Sequence, residues 1–502
     1  MRSGVAEGTE QLPGQRSATQ LREALESLRS EIVGDGETIF ERWQPLIERR
    51  SFLPSARNLA YYIALRRHEL RGLQLELMPW GLSSLGRCEA RVLENLDAVI
   101  ATLTQLGAAA DVPRAAPDPR AYFRGHDLLR RQSEAALGPT PPNRDVRIMV
   151  TLPSEAASDY RLVLDLVGGG MDVARINCAH DDPQAWKAMA AHVRRAAAET
   201  RRPCRVCMDI GGPRARTTAV KAPANRRLRV GERLLMQSRS APPVEDDYAA
   251  RFQSSLPEIV GQLKPGDSVW IDEGKLGAIV EVRDEHGAVL RVTQTRPKGG
   301  RLRPNKGLNF PDTELRIKPL TAKDLRDLDV IAETADMIGY SFVQRASDIE
   351  LLQGELAKRL ERPGSVSLIA KIETKLAIRN LPELIVQAAG RQPLAVMIAR
   401  GDLAIELGYR RLAEVQEELL WLCEAAHVPI IWATQVLDSF VHKGVGARAE
   451  MTDAAMAERA ECVMLNKGPF VIEAMKLLDD LLGRMEGHQF KKASRMRALH
   501  SW

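Results

Sequence analysis

From Asp145 onward the chain repeats one pattern, a short apolar run followed by a stretch of helical periodicity, and this repetition restricts the fold more than any other feature. The apolar runs lie at 147–152, 171–177, 204–210, 337–342, 367–372, 394–399, 429–434 and 462–465. Helical stretches follow most of them, at about 156–168, 183–199, 375–389, 411–427, 450–459 and 470–484, with others at 321–334 and from Ala346 or Ser347. Strand–helix alternation predicts a parallel sheet, and about eight such units is the number that closes a barrel. The exception falls after 204–210, where residues 217 to about 310 alternate in short runs broken by Gly, Pro and Asp, as in DSVWIDEGKLGAIVEV and AVLRVTQT. That segment reads as an all-β insertion.

Ahead of the repeat, residues 18–112 show apolar positions recurring at three and four, which predicts a helical domain. Residues 1–17 read as a disordered tail, the Pro-rich passage 113–145 as a linker, and 488–502 as a second tail. The chain has 502 residues, 44% of them hydrophobic, enough for two or three cores. A net charge of +5 with no basic run interleaved with aromatics argues against nucleic acid as partner. No stretch reaches the roughly 18 apolar residues of a membrane helix, and no apolar leader opens the chain, so a cytoplasmic location is expected. The six cysteines lack the spacing of a disulfide framework, which suits a reducing compartment. Cys204 and Cys207 form a C-x-x-C, but with no second Cys/His pair close by they read as strand residues rather than a zinc or redox site.

In a barrel of this kind the reactive groups come from the C-terminal ends of the strands. That rule selects Arg175, Asn177, Asp209, Ser341, Lys371, Glu373, Asp402 and Thr434. Singly each has a structural explanation, Arg175 as a strand-end ion pair, Thr434 as a helix cap and Asp209 as a turn residue. Together on one rim they point to a site, because unpaired buried charge costs several kcal/mol. Glu373 and Asp402 suffice as protein ligands for a Mg²⁺ that also takes phosphate and water. Lys371 can neutralise a phosphoryl group in transit, and Arg175 or Arg216 can grip phosphate through the planar guanidinium. Gly401 would admit backbone N–H groups close to an anion. No Walker-type loop is present, since the glycines at 168–170 are not followed by Lys-Ser/Thr at the required spacing.

Eight segments in order, GGGMDVARINCAH (168–180), MDIGGPRART (208–217), KGLNFPDTEL (306–315), IGYSFVQRASDI (338–349), IAKIETKLAIRNL (369–381), MIARGDLAIELG (397–408), IIWATQVLDS (430–439) and ARAEMTDAAMA (447–457), resemble the motifs of pyruvate kinases. The resemblance implies an α/β fold, a (β/α)8 TIM barrel over 146–216 and 311–487, interrupted after its third strand by a β lid at 217–310. It implies transfer of phosphate from phosphoenolpyruvate to ADP, giving pyruvate and ATP, with Mg²⁺ or Mn²⁺ as cofactor. Under it Lys371, Arg175 and Thr434 are catalytic, and Glu373 and Asp402 bind metal. Gly401 and Ser341 join them around the substrate. Asn177, His180, Arg216 and Lys306 face the nucleotide, while Asn177, Asp209 and Arg214 mark the monovalent-cation region.

The chain departs from the pattern at Ala179, where a Ser is usual, at Arg214, where a Glu is usual, at Gly211, where a Lys is usual, and at 466–469. Arg214 is therefore expected to substitute for the monovalent ion, making K⁺ unnecessary. The usual C-terminal domain is not among these residues, and the N-terminal helices lie outside the common core. They read either as an assembly or regulatory module, homo-oligomerisation included, or as purely stabilising. Two functions stay open, an active phosphotransferase and a catalytically weak homologue that binds phosphoenolpyruvate or nucleotide and regulates a partner. A barrel lyase is a more distant third.

Overall fold

The computed structural model describes residues 16–82, 85–107, 118–223, 225–238, 248–362, 364–491 and 493–494. Most of both expected tails and the expected break at Ser83 and Ser84 lie outside these. The chain divides into two compact units, one running through Arg131 and including Trp421–His427, the other comprising Gln132–Leu420 and the chain from Val428.

The first unit is helical, as the periodicity predicts. Ser17 and Gln20 form a capping box at the start of helix Ala18–Trp43, whose Leu21, Leu25, Leu28 and Ile32 are buried at three- and four-residue spacing. Asn58, in helix Leu53–Leu65, donates through Nδ2 to the carbonyls of Glu89 and Ala425, both at 2.7 Å, and accepts the Val92 N–H at 3.0 Å. His427 is 2% exposed, with Nε2 2.9 Å from the Ala90 carbonyl and Nδ1 2.9 Å from the Ser55 hydroxyl. Burial lowers its pKa to about 4, so the ring is neutral and must donate to the carbonyl from Nε2.

The second unit contains the barrel. Its strands are β1 (Arg147–Thr151), β2 (Val173–Asn177) and β3 (Arg205–Ile210), then, after the insertion, β11 (Met337–Tyr340), β12 (Ser367–Ile372), β13 (Leu394–Ala399), β14 (Ile430–Ala433) and β15 (Cys462–Leu465). They close in the order β1-β15-β14-β13-β12-β11-β3-β2, with the pairs parallel throughout. Strands buried on both faces must be apolar at every position rather than alternately, which is why LAVMIA and CVML read as unbroken runs. Between β3 and β11 lie β4 (Thr217–Lys221), β5 (Arg233–Gln237), β6 (Ala250–Ser254), β7 (Ser268–Ile271), β8 (Leu276–Arg283), β9 (Gly287–Thr295) and β10 (Leu308–Asn309), one seven-stranded sheet with its own core that includes Leu234, Phe252 and Leu290. An antiparallel bridge between Arg216 and Gly307 joins the outgoing and returning chain.

The expected linker 113–145 needs correction. Residues Pro119–Leu137 form a helix, and Ala136 and Leu137 at its end pack with Met149, Val173 and Ile369 inside the barrel. The prolines misled because Pro is compatible with the first helical position, where its missing N–H has no intrahelical partner in any case. The Asp118 carboxylate accepts the Arg120 N–H at this start.

All six cysteines are free and buried. Cys207 belongs to the barrel interior, which explains half of the C-x-x-C as packing. No helix among the described residues is long and apolar enough to cross a membrane.

Candidate active site

The C-terminal ends of the barrel strands and the facing side of the β insertion enclose a cavity of about 1080 Å³. Arg175, Asn177, His180, Arg214, Arg216, Ser341, Lys371, Glu373, Gly401, Asp402 and Thr434 all line it. Asp209 and Lys306 do not.

Asp209 lies beneath the cavity at 1% exposure, where parallel pairing sets β3 between β2 and β11. Its Oδ2 accepts from Arg175 Nε at 2.9 Å and Nη2 at 2.7 Å, and Lys371 Nζ stands 3.3 Å away. Burial disfavours its charge, but Arg175 and Lys371 outweigh that and hold its pKa down at about 2. Arg175 is completed by Thr151 Oγ1 at 3.0 Å. Lys371 donates to Ser341 Oγ at 2.7 Å and faces Glu373 Oε1 at 3.4 Å. Ser341 Oγ in turn donates to the Ile210 carbonyl at 2.9 Å. Burial works against the ammonium, yet Glu373 and Asp209 keep its pKa above the ordinary lysine value, so Lys371 is charged.

Glu373 is 4% exposed and accepts the Phe342 backbone N–H. Burial raises its pKa, Lys371 opposes this, and the neighbouring Asp402 charge raises it further. Two carboxylates that repel one another across a polar cavity are a hard-oxygen donor pair fitted to a divalent cation, with substrate and water supplying the other positions. Among the described residues no larger His/Cys/Asp/Glu cluster offers an alternative.

Asp402 opens helix Arg400–Leu407, directly after β13. Its Oδ1 accepts from Arg214 Nη2 at 2.8 Å, with Asn309 Nδ2 at 3.4 Å. Thr434, just past β14, has φ 72, a strained value for a β-branched residue. Arg400 fixes it there, donating to the Thr434 carbonyl at 2.7 Å and the Ala433 carbonyl at 2.8 Å while paired with Asp453. Gly401 meets Thr434 so closely that a Cβ would lie 2.8 Å from Thr434 Cγ2.

Elsewhere on the cavity wall, Asn177 Oδ1 accepts the Ala179 N–H at 3.1 Å, and the His180 carbonyl accepts Trp186 Nε1 at 2.9 Å. Arg216 donates to the Asn305 carbonyl at 3.2 Å, and burial together with the Arg214 charge lowers its pKa. Lys306 turns away, pairing with Asp272 at 3.1 Å. Of the residues grouped as a monovalent-cation region, Asn177 and Arg214 line the cavity and Asp209 lies beneath it. Asp209 is paired with Arg175 and Lys371, and the guanidinium of Arg214 with Asp402. Sequence reasoning missed Asn309, Arg400 and Asp453, whose roles depend on contacts between distant segments; only the position of Arg400 at a strand end was a signal.

The family model for the barrel domain of pyruvate kinase matches residues 143–473. The chain belongs to the pyruvate kinase family. It is 32% identical over 351 residues to the pyruvate kinase of Methylorubrum extorquens, covering 68% of this chain and 69% of that one. The pyruvate kinase of Geobacillus stearothermophilus is 30% identical over 354 residues, and human pyruvate kinase PKLR 28% over 352. The chain spans 57% of the Geobacillus pyruvate kinase and 58% of the human one, less than two thirds of their length. A crystal structure of a pyruvate kinase from Cryptosporidium parvum shares the fold with TM-score 0.61 at 24% identity, over 68% of this chain and 70% of that one.

Proposed function

We propose that this chain transfers the phosphoryl group of phosphoenolpyruvate to ADP, giving pyruvate and ATP. The observation that carries the reading is Lys371, buried and charged between Asp209 and Glu373, opening on the same cavity as the carboxylates of Glu373 and Asp402. A lysine so held is preorganised to meet negative charge that develops on a phosphoryl group in transit, and needs no rearrangement at that moment. Arg175, fixed by Asp209 and Thr151, presents its remaining guanidinium donors to phosphate. Glu373 and Asp402 would hold the divalent ion, Mg²⁺ or Mn²⁺, whose charge offsets that of the phosphoryl oxygens. Gly401 and Thr434 form the wall that receives the carboxylate side of the substrate. Asn177, His180 and Arg216 face the nucleotide.

Turnover is expected to be independent of K⁺. Ala179 offers no hydroxyl ligand, and Asp209, the carboxylate best placed to attract a monovalent ion, is already neutralised by two cations. A cytoplasmic enzyme fits the absence of a membrane-spanning helix among the described residues.

The deciding experiment follows ATP from phosphoenolpyruvate, ADP and Mg²⁺, with and without K⁺, beside Lys371→Met. Wild type should turn over equally in both salts. The variant should lose turnover while still binding phosphoenolpyruvate, because the lysine charge matters most in the transition state. No ATP under any combination of cations, with phosphoenolpyruvate still bound, would replace the enzyme by a binding protein, the reading favoured by the ion pair that engages Asp402.

A further inference from the structure

The ion pair between Arg214 and Asp402 has no counterpart in the phosphoryl-transfer scheme, and its construction is specific. Arg214 follows Gly212, whose φ is +66 and whose absent Cβ would fall 2.8 Å from the Ser341 carbonyl oxygen. The Gly212 N–H is held at 3.2 Å by Asp324, a carboxylate 1% exposed. No side chain other than glycine fits that backbone and that approach. The direction in which the chain leaves β3 is therefore fixed, and with it the reach of Arg214. Its Nη2 bonds Asp402 Oδ1 at 2.8 Å. One cation of this chain thus occupies an oxygen of a carboxylate assigned to the divalent ion, and its charge competes there with that of a metal.

We infer that Arg214 is a resident counter-ion of the divalent site, which holds Asp402 through Oδ1 and competes with the metal for that carboxylate. This rests on the reading of Glu373 and Asp402 as metal ligands. Arg214 also lines the substrate cavity, so a guanidinium released from Asp402 meets the phosphate of a bound substrate. Metal and phosphate then bind cooperatively. The metal frees a cation for the phosphate, and the phosphate draws that cation off the carboxylate, as reciprocal linkage requires. Arg214 is accordingly a positioning residue, acting on the metal through Asp402.

The test is Mn²⁺ binding to the full chain, measured by the electron paramagnetic resonance of free Mn²⁺, with and without phosphoenolpyruvate and without ADP, so that no turnover intervenes. Arg214→Gln should bind Mn²⁺ alone about tenfold more tightly than wild type, the weight of one charge-assisted hydrogen bond. Phosphoenolpyruvate should tighten Mn²⁺ binding several-fold more in wild type than in the variant. Arg214→Lys, which keeps the charge but not the fork, should fall between them, and it serves where the glutamine variant does not fold. Equal Mn²⁺ affinity in wild type and both variants, or in wild type and the lysine variant alone, would overturn the inference. Asp402→Asn separates this from a failure of the underlying reading. If it leaves Mn²⁺ affinity unchanged, the metal lies elsewhere and both fall; if it weakens binding while the Arg214 variants do nothing, only the counter-ion role is lost.

Discussion

Replacing Asp209 by Asn changes one oxygen for an NH₂ at a position 1% exposed, and its effect can be worked from the contacts. The carboxylate holds Arg175 through bonds of 2.9 and 2.7 Å and Lys371 at 3.3 Å, and these outweigh burial to bring its pKa from 3.8 to about 2. That depression alone corresponds to about 2 kcal/mol favouring the ionised form in the folded state. The amide also strands two buried cations, and removing one partner of a buried pair costs about 3–5 kcal/mol. The second figure contains the first, so a loss of about 3–5 kcal/mol at pH 7 is expected, seen as a melting point lower by roughly 4–7 °C. Because the folded pKa lies below the unfolded one, this stabilisation is complete above about pH 4 and disappears as pH falls toward 2. The assay is thermal unfolding of both proteins across pH 2 to 7. A difference under about 1 kcal/mol at neutral pH would refute the reasoning, since surface changes away from such pairs give that much. So would a difference that does not close in acid.

Gly401→Ala should lower kcat/KM by about 10- to 100-fold with little change in melting point, because its methyl would press Thr434 Cγ2 from 2.8 Å and displace it within the cavity; steady-state kinetics with unchanged KM for ADP would bear this out. Glu406 has its pKa raised by burial to about 7, against Lys375 and with help from Asp402. The folded carboxyl keeps a proton that the unfolded chain has lost, so its contribution is present below about pH 4.3 and declines as pH rises through 7. Glu406→Gln should abolish that decline, which melting curves from pH 4 to 8 would reveal. His427 behaves in the opposite sense: its pKa is lowered by burial to about 4, so stability should fall as pH drops from about 6.5 toward 4. Limited proteolysis of the helical unit at pH 5 against pH 7.5 measures this, and His427→Gln should remove the pH difference.

The barrel was legible because its strands are buried on both faces. The runs expected at 367–372 and 394–399 coincide with Ser367–Ile372 and Leu394–Ala399, since apolar character at every position ends where a strand emerges at the rim. The strand-end rule that singled out Lys371, Glu373, Asp402 and Thr434 works for the same reason, and all four line one cavity. Helix Pro119–Leu137 was hidden by local chemistry that permits two outcomes, Pro being as suitable for a first helical turn as for a linker. The pairings of Lys306 and Arg214 were hidden for a different reason. Lys306 meets Asp272 within the folded insertion and Arg214 meets Asp402 across the barrel rim, and Arg214 and Asp402 are 188 residues apart. Spacing along the chain carries hydrophobic period and strand ends, but not which of several nearby anions a long cationic side chain will choose.

That choice determines the electrostatics of the whole site. Arg175, Lys371 and Arg214 stand against Asp209, Glu373 and Asp402, each carboxylate in contact with at least one of the cations. The cluster is neutral before anything binds, which is the only arrangement in which so many charges can be buried together without several kcal/mol of uncompensated desolvation. A phosphate group adding two negative charges breaks this balance, and so does a divalent ion adding two positive ones, whereas the two together offset one another. A site whose own cations cancel its own carboxylates therefore favours simultaneous occupation, and Arg214 is the member free to change partners, for Arg175 and Lys371 are locked onto the same buried Asp209 while Arg214 is about one-third exposed.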